Sequence, residues 1–262
     1  MRTVNIIGFA GAVDWCYGTR MSLAAAMNRL YAEQIAADPS PYLAYHASEQ
    51  AIASKIASFD AYREFIPRGP CRVLDWGCQH GPDSFMVRQC CSDATIIGAD
   101  FLPTDRYPIW WNASALQFVR LDHRSQLPFE SDSFDMVIAG GVLEHTAQDY
   151  ESLKEVYRVL KPGGHLAITH LPNWLSYTEF LARNVRKADF HRRLYSVSGI
   201  VALLKQSGFY PVRTKRHRLL PSNSLRSVTR RLAPYENVID RIWPMNIFAG
   251  DILAVAQKVD CF

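Results

Sequence analysis

Val73-Leu74-Asp75-Trp76-Gly77-Cys78-Gln79-His80-Gly81 decides the fold: a short apolar run ends on an acid, then passes through glycines into a helical pattern. Glycine belongs where the chain turns tightly and where backbone N–H groups face a ligand. The spacing here is Gly-x-x-x-Gly, so the stretch is neither the Gly-x-Gly-x-x-Gly dinucleotide fingerprint nor, lacking Gly-Lys-Ser/Thr, a phosphate-binding P-loop. Downstream, Thr95–Asp100, Gln117–Leu121, Phe134–Ala139 and His165–Thr169 read as further buried strands, with helices such as Asp83–Cys91 and Tyr150–Leu160 between them. That rhythm predicts an α/β fold, a Rossmann-like doubly wound sheet that is mostly parallel and has helices on both faces. The second strand ends in Asp100 and the third in Asp122-His123, so with Asp75 three acids stand at consecutive strand ends, lining the crevice where such sheets bind ligands. Asp100 is placed to accept two hydrogen bonds from a ribose diol.

Outward from this centre the chain changes character. Residues 1–66 are expected to form a helical N-terminal segment that acts as a lid, with Ser22 capping Leu23–Ala37, a stop at Asp38-Pro39-Ser40-Pro41, and a second helix over Ser48–Phe65. Residues 67–262 form the main domain. Beyond Pro172, helical patterns at Leu175–Val185 and Ser198–Ser207, a stop at Gly208, and strands at Tyr210–Thr214 and Asp251–Gln257 complete a seven-stranded sheet, and 173–250 contains a substrate-covering insertion.

Composition excludes several classes of protein. With 262 residues, 48% hydrophobic and 21% charged, the chain is neither disordered, collagenous nor coiled coil. The longest apolar run, Ile6–Val13, meets Asp14 far short of a membrane span. Behind a single Arg2, Ile6–Ala12 is too short and too weakly basic for a secretory signal. The six cysteines contain no Cys-x-x-Cys pair, and a reducing cytoplasm is the expected compartment. No His forms a metal-ligand spacing with a second His or Cys, so no metal is expected. The formal net charge of +4 hides an asymmetry: residues 180–241 hold 14 Lys and Arg against Asp189, Glu236 and Asp240, a local +11 against −7 elsewhere. Such a segment suits a small anionic acceptor or, through a basic amphipathic stretch at Ser224–Leu232 with Trp243 nearby, peripheral contact with a membrane. Nucleic acid is disfavoured, because exposed aromatics are not interleaved with the basic residues.

The ordered series Val-Leu-Asp-Trp-Gly-Cys-Gln-His-Gly, Ile-Gly-Ala-Asp, Leu-Pro-Phe-Glu-Ser-Asp-Ser-Phe-Asp-Met-Val, Val-Leu-Glu-His and Glu-Val-Tyr-Arg-Val-Leu-Lys-Pro-Gly-Gly-His-Leu resembles the class I S-adenosylmethionine-dependent methyltransferases, within the group that includes ubiquinone and menaquinone biosynthesis enzymes. The resemblance runs from Val73 to about Pro172. It implies that S-adenosylmethionine is the cofactor, that Asp75, Gly77, Cys78 and Gly81 shape its methionine end, and that Asp100 holds the ribose. It further implies that Phe101 lies against adenine, that Asp122 and the His123 amide meet the adenine edge, and that Gly140 and Gly141 approach the sulfonium. One departure stands out, since Gln79 replaces the family's usual glycine: an amide side chain is tolerable there if the backbone avoids positive φ, and otherwise points to altered cofactor affinity or a non-methylating relative.

Methyl transfer is an in-line displacement whose main demand is positioning, and a base helps only an alcohol or phenol acceptor. His145, after the fourth strand, and His170, at the end of the fifth, are the candidate bases; His191, Arg192 and Tyr195 lie in the region expected to cover the substrate. No Asn/Asp-Pro-Pro-Tyr/Phe follows the fourth strand, and the lone Pro70-Cys71 precedes the first, which argues against DNA methylation. The expected activity is methylation of a small biosynthetic acceptor, foremost an oxygen of a sugar, glycolipid or lipid-like metabolite. Alternatives are C- or O-methylation of a quinone or polyketide at the membrane surface, and a non-catalytic cofactor-binding scaffold.

Overall fold

The structure is a computed structural model and describes residues 20–103, 105–122, 126–187, 191–218 and 244–259. Seven strands form one sheet: β1 (Arg72–Trp76), β2 (Thr95–Asp100), β3 (Leu116–Arg120), β4 (Phe134–Gly140), β5 (Leu160–Pro172), β6 (Phe209–His217) and β7 (Asp251–Lys258). Their spatial order is β3-β2-β1-β4-β5-β7-β6, with β1 to β5 parallel and β7 antiparallel to both its neighbours. The strand order reverses on either side of β1, which opens a crevice at the carboxyl ends of β1 and β4. The expected doubly wound, mostly parallel sheet is what forms.

Alternate residues of the buried strands point to opposite faces, and each face builds its own core. On one, Val73, Ile96, Met136 and Ala167 pack with the N-terminal helices α1 (Arg20–Ala37), α2 (Pro41–His46) and α3 (Glu49–Tyr62), and with α4 (Pro82–Cys90) and α5 (Pro108–Ser114). On the other, Leu74, Trp76, Val137 and Leu166 pack with α6 (Asp149–Val159) and α8 (Val197–Gln206). A short α7 (Tyr177–Leu181) runs into a π-helical turn over Ala182–Arg186.

The N-terminal helices share the main core rather than resting on it. Met27, Tyr31, Leu43 and Tyr62 are almost wholly buried against it. Two short helices escape the sequence pattern, α2 and α5, and both begin with proline. Pro41, which reads as a stop, also starts α2, because its fixed φ and missing N–H suit a first helical turn. Among the described residues no helix is long and apolar enough to cross a membrane. The stretch Ser224–Leu232, Trp243 and, of the basic residues between 180 and 241, Arg226, Arg230, Arg231 and Arg241 lie outside the described residues, as do His123 and residues 1–19.

Candidate active site

At the β1 end of the crevice, backbone conformation makes the site. Gly77 (φ 70°) and Gly81 (φ 84°) sit in the left-handed region, and a Cβ on Gly77 would meet a Val142 methyl carbon at 2.4 Å. Gln79 also has a positive φ, of 50°, so the condition under which an amide side chain is readily tolerated in this loop is not met. Hydrogen bonds hold it there: its N–H donates to Asp100 Oδ2 at 2.9 Å, and its carbonyl accepts from Trp111 Nε1 at 3.0 Å. A left-handed non-glycine costs roughly 1 kcal/mol, a strain the surrounding bonds impose.

Asp100, 8% exposed, accepts from the Gln79 N–H and, through Oδ1, from the Phe101 N–H at 2.6 Å. Each oxygen of an ionised carboxylate can accept about two hydrogen bonds, so capacity for a diol is left on both. Phe101 is 46% exposed beside it, and a flat apolar ring at that place suits a planar base. With the two left-handed glycines, these residues fit a ribonucleoside cofactor. Cys78 is buried and turns its sulfur onto Gly98, so only its backbone belongs to the loop. Asp122 is exposed. Asp75 is buried and accepts from both the hydroxyl (2.6 Å) and the N–H (3.2 Å) of Ser84, tying β1 to the first turn of α4. Burial and then the neighbouring charge of Asp83 push its carboxyl up to about 7. Burial also opposes ionisation of Asp83, but Lys55 at 3.2 Å and the Tyr62 hydroxyl at 2.6 Å hold it below the ordinary value.

The N-terminal helices cover this loop through His80. Its ring is buried, hydrogen-bonded to Tyr31 Oη at 2.8 Å and Tyr42 Oη at 3.3 Å, and packed against Trp110 and Tyr107. Burial in that cage keeps His80 neutral, well below its usual pKa. His46, 5.5 Å from the His80 ring, is pushed down to about 3 by burial and by Lys55.

At the β4–β5 end, side chains make the site. Gly140 lies against Asp83 Oδ2, Thr169 Oγ1 and Lys55 Nζ, and Gly141 (φ 71°) lies against Glu144 and His170. His170 follows Thr169 in the left-handed region (φ 57°), where the β5–β7 register slips between Ile168 and Leu171. The slip re-aims the imidazole. Its Nδ1 lies 3.2 Å from Asp251 Oδ2, while the buried Nε2 has no partner among the described residues. Burial and Lys55 push His170 down to about 4. Burial disfavours the Asp251 carboxylate, yet Arg218 at 2.7 Å and His170 hold it at about 2. The result is a neutral imidazole fixed through Nδ1, with a buried Nε2 that has no partner among the described residues. Asp251 reads in the sequence only as the start of a strand, and nothing nearby signals its partner 81 residues away.

His145 sits on a 3-10 turn (Leu143–His145) with its side chain 67% exposed. His191 approaches it, ring centroids 5.9 Å apart. Burial lowers the pKa of His145 and pushes its neighbour Glu144 up to about 7. Arg192 is exposed; Tyr195 is buried, and its hydroxyl bonds Asp149 Oδ2 at 3.2 Å.

Comparison with known proteins bears on the fold and the family. Residues 74–168 match a family described as "Methyltransferase domain". The chain is 31% identical over 111 residues to the demethylmenaquinone methyltransferase of Thermus thermophilus, covering 41% of this chain and 50% of that protein. It is 30% identical over 140 residues to the phthiotriol/phenolphthiotriol dimycocerosates methyltransferase of Mycobacterium leprae, covering 51% and 50%. Thus the chain spans about half the length of the curated relatives it matches. A SAM-dependent methyltransferase from Thermotoga maritima superposes with a TM-score of 0.58 at 16% identity, over 87% of this chain and 98% of that one. The (4+2)-cyclase SpnF does so with 0.56 at 17%, over 81% and 83%, a likeness of fold alone. Over residues 74–168 the motif series, the sheet order and the family match thus agree in what this chain is similar to, a methyltransferase domain.

Proposed function

We propose that this protein binds S-adenosylmethionine and transfers its methyl group to a hydroxyl oxygen of a small lipid-like, glycolipid or sugar acceptor. The observation that carries the choice of oxygen is His170, whose buried Nε2 is unpartnered among the described residues while Nδ1 faces Asp251. A bound sulfonium supplies an electrophilic methyl group. What remains for the chain is to hold the acceptor in line, exclude water and take one proton. Gln79 N–H and Phe101 N–H pre-orient the Asp100 carboxylate for the ribose, Phe101 offers its ring to adenine, and Gly77, Gly81, Gly140 and Gly141 let backbone approach the cofactor without a Cβ between. His80, Tyr31 and Tyr42 seat α1 and α2 over that loop as its cover. His170 accepts the hydroxyl proton at Nε2; Asp251, itself fixed by Arg218, stabilises the imidazolium that forms.

The relative named for phthiotriol dimycocerosates supports a lipid-like acceptor. A quinone acceptor is the second reading, favoured by the relatives named for demethylmenaquinone. A test separates these readings: incubate the full chain with cofactor carrying a labelled methyl group and panels of hydroxylated lipids, glycosides and quinols, then locate the label by mass spectrometry. Label on a hydroxyl oxygen of a lipid or glycoside is the expected result. Label on quinone carbon moves the assignment to the second reading, and tight cofactor binding without product from any panel would leave a scaffold.

A further inference from the structure

We infer that Glu144, His145 and His191 form a binding site for a divalent transition-metal ion, with Glu179 orienting His191 from behind. One ligand atom from each of the three lies within 4.8 Å of the others. Glu144 Oε1 is 3.8 Å from His145 Nε2, and a single ion at ligand distances of about 2.1 Å would set its ligand atoms about 3.0–3.5 Å apart. A small rotation of the exposed His145 side chain closes that difference.

Two features distinguish this cluster from a chance meeting of polar residues. The Glu144 side chain is only 3% exposed, yet its Oε2 has no hydrogen-bond partner among the described residues. A buried carboxyl oxygen without a donor is costly, and a cation is the direct remedy. His191, in turn, is gripped twice by one residue: its Nδ1 lies 2.6 Å from Glu179 Oε1, and its backbone N–H donates to Glu179 Oε2 at 3.1 Å. Its carbonyl accepts from Arg183 at 2.7 Å. Holding Nδ1–H on a carboxylate fixes the tautomer that leaves the Nε2 lone pair outward, which is how proteins prepare a histidine for a metal.

Two imidazoles and one carboxylate suit Zn²⁺, Co²⁺, Fe²⁺ or Mn²⁺ rather than Mg²⁺ or Ca²⁺, which prefer oxygen alone. Three protein ligands leave a coordination position open, as in sites that act on a substrate. The cluster and His170 flank the same glycine, because a Cβ on Gly141 would stand 3.7 Å from Glu144 Oε1 and 3.9 Å from His170 Cβ. The ion would thus take an oxygen of the acceptor close to His170, favouring acceptors with two neighbouring oxygens, such as vicinal diols or catechol-like rings. This last clause rests on the methyl-transfer reading, whereas metal binding does not.

The test is therefore made on the full chain with neither cofactor nor acceptor. Metal-stripped protein is titrated with Zn²⁺ by calorimetry and with Co²⁺ by visible absorption. Expected are one Zn²⁺ per chain and Co²⁺ bands of a mixed nitrogen and oxygen site. Loss of tight binding is expected in His145→Ala, whose exposed side chain makes misfolding a poor explanation, and in His191→Ala. Glu179→Gln should weaken Zn²⁺ roughly 10–100-fold. Absence of stoichiometric binding in the wild type would overturn the site, and so would unchanged affinity in both His145→Ala and Glu179→Gln when circular dichroism shows them folded.

Discussion

The two ends of the crevice are built differently. The β1–β3 end presents mainly backbone: left-handed glycines, N–H groups and one carboxylate, most of them within a single βαβ run from Val73 to Phe101. The β4–β5 end presents side chains drawn from distant places, His170 with Asp251 and Glu144 with His191, each steadied by a further residue. A turn that holds a constant cofactor needs a constant backbone, which local residues specify. A surface that meets a particular acceptor needs side chains converging from several elements, and the tertiary fold alone brings them together.

The largest expected effect breaks the acceptor end alone. His170→Ala should lower turnover on the identified acceptor by about 10²–10⁴-fold, the usual value of a positioned base, while S-adenosylmethionine affinity by calorimetry stays near wild type. Loss of cofactor affinity in step with turnover would mean that the two ends are not separable.

Acid should then weaken the acceptor end through the same imidazole. The folded pKa of His170, about 4, lies below its ordinary 6.5, so the folded protein keeps it neutral while the unfolded chain takes up a proton. Its contribution is whole above pH 6.5 and is lost as pH falls toward 4, at a cost of about 3 kcal/mol. His46, shifted to about 3, acts in the same direction, whereas Asp75 and Glu144, raised to about 7, act against both, so the His170 share is read from the difference between wild type and variant. Denaturant unfolding at pH 7 and pH 4.5 measures this, and His170→Ala should flatten much of the slope; an unchanged slope would remove His170 as its source.

Asp100→Ala sharpens the other side. Losing a charge-assisted acceptor of about 1.5–3 kcal/mol should weaken S-adenosylmethionine roughly 10–100-fold without altering any histidine at the acceptor end. The smallest effect contrasts two positions of one loop. Gln79→Gly should relieve a left-handed strain and stabilise the fold by about 0.5–1 kcal/mol, because the backbone bonds to Asp100 and Trp111 survive. Gly77→Ala should destabilise, since its new Cβ must displace Val142. Thermal melts of the pair decide it, and destabilisation by Gln79→Gly would show that the amide side chain contributes more than its strain costs.

The split between the ends also sets what could be read without a structure. Strand patterns placed β2 at its observed limits and most others within a residue or two, because residues buried on both faces of a parallel sheet form short apolar runs. Asp75, Asp100 and the loop glycines stood out because their spacing is local. The helices α2 and α5 did not, since six or seven residues carry too little periodicity to register. Nor did the positive φ of Gln79, which depends on Asp100 and Trp111 gripping its backbone. Asp251 and Glu179 looked like ordinary members of a strand and a helix. The absence of metal-ligand spacing was a statement about neighbours in the chain, and Glu144, His145 and His191 become neighbours only across the fold.

By itself, then, the sequence determined the sheet and the turn after β1, consequences of hydrophobic period, glycine placement and acids at strand ends, while the cofactor class followed from the resemblance of the motif series to a family. Only the tertiary structure decided which histidine is oriented, because the register slip in β5 aims His170 and the antiparallel β7 carries Asp251 to meet it. An imidazole's chemistry is set by what holds its other nitrogen, and that partner is chosen in space.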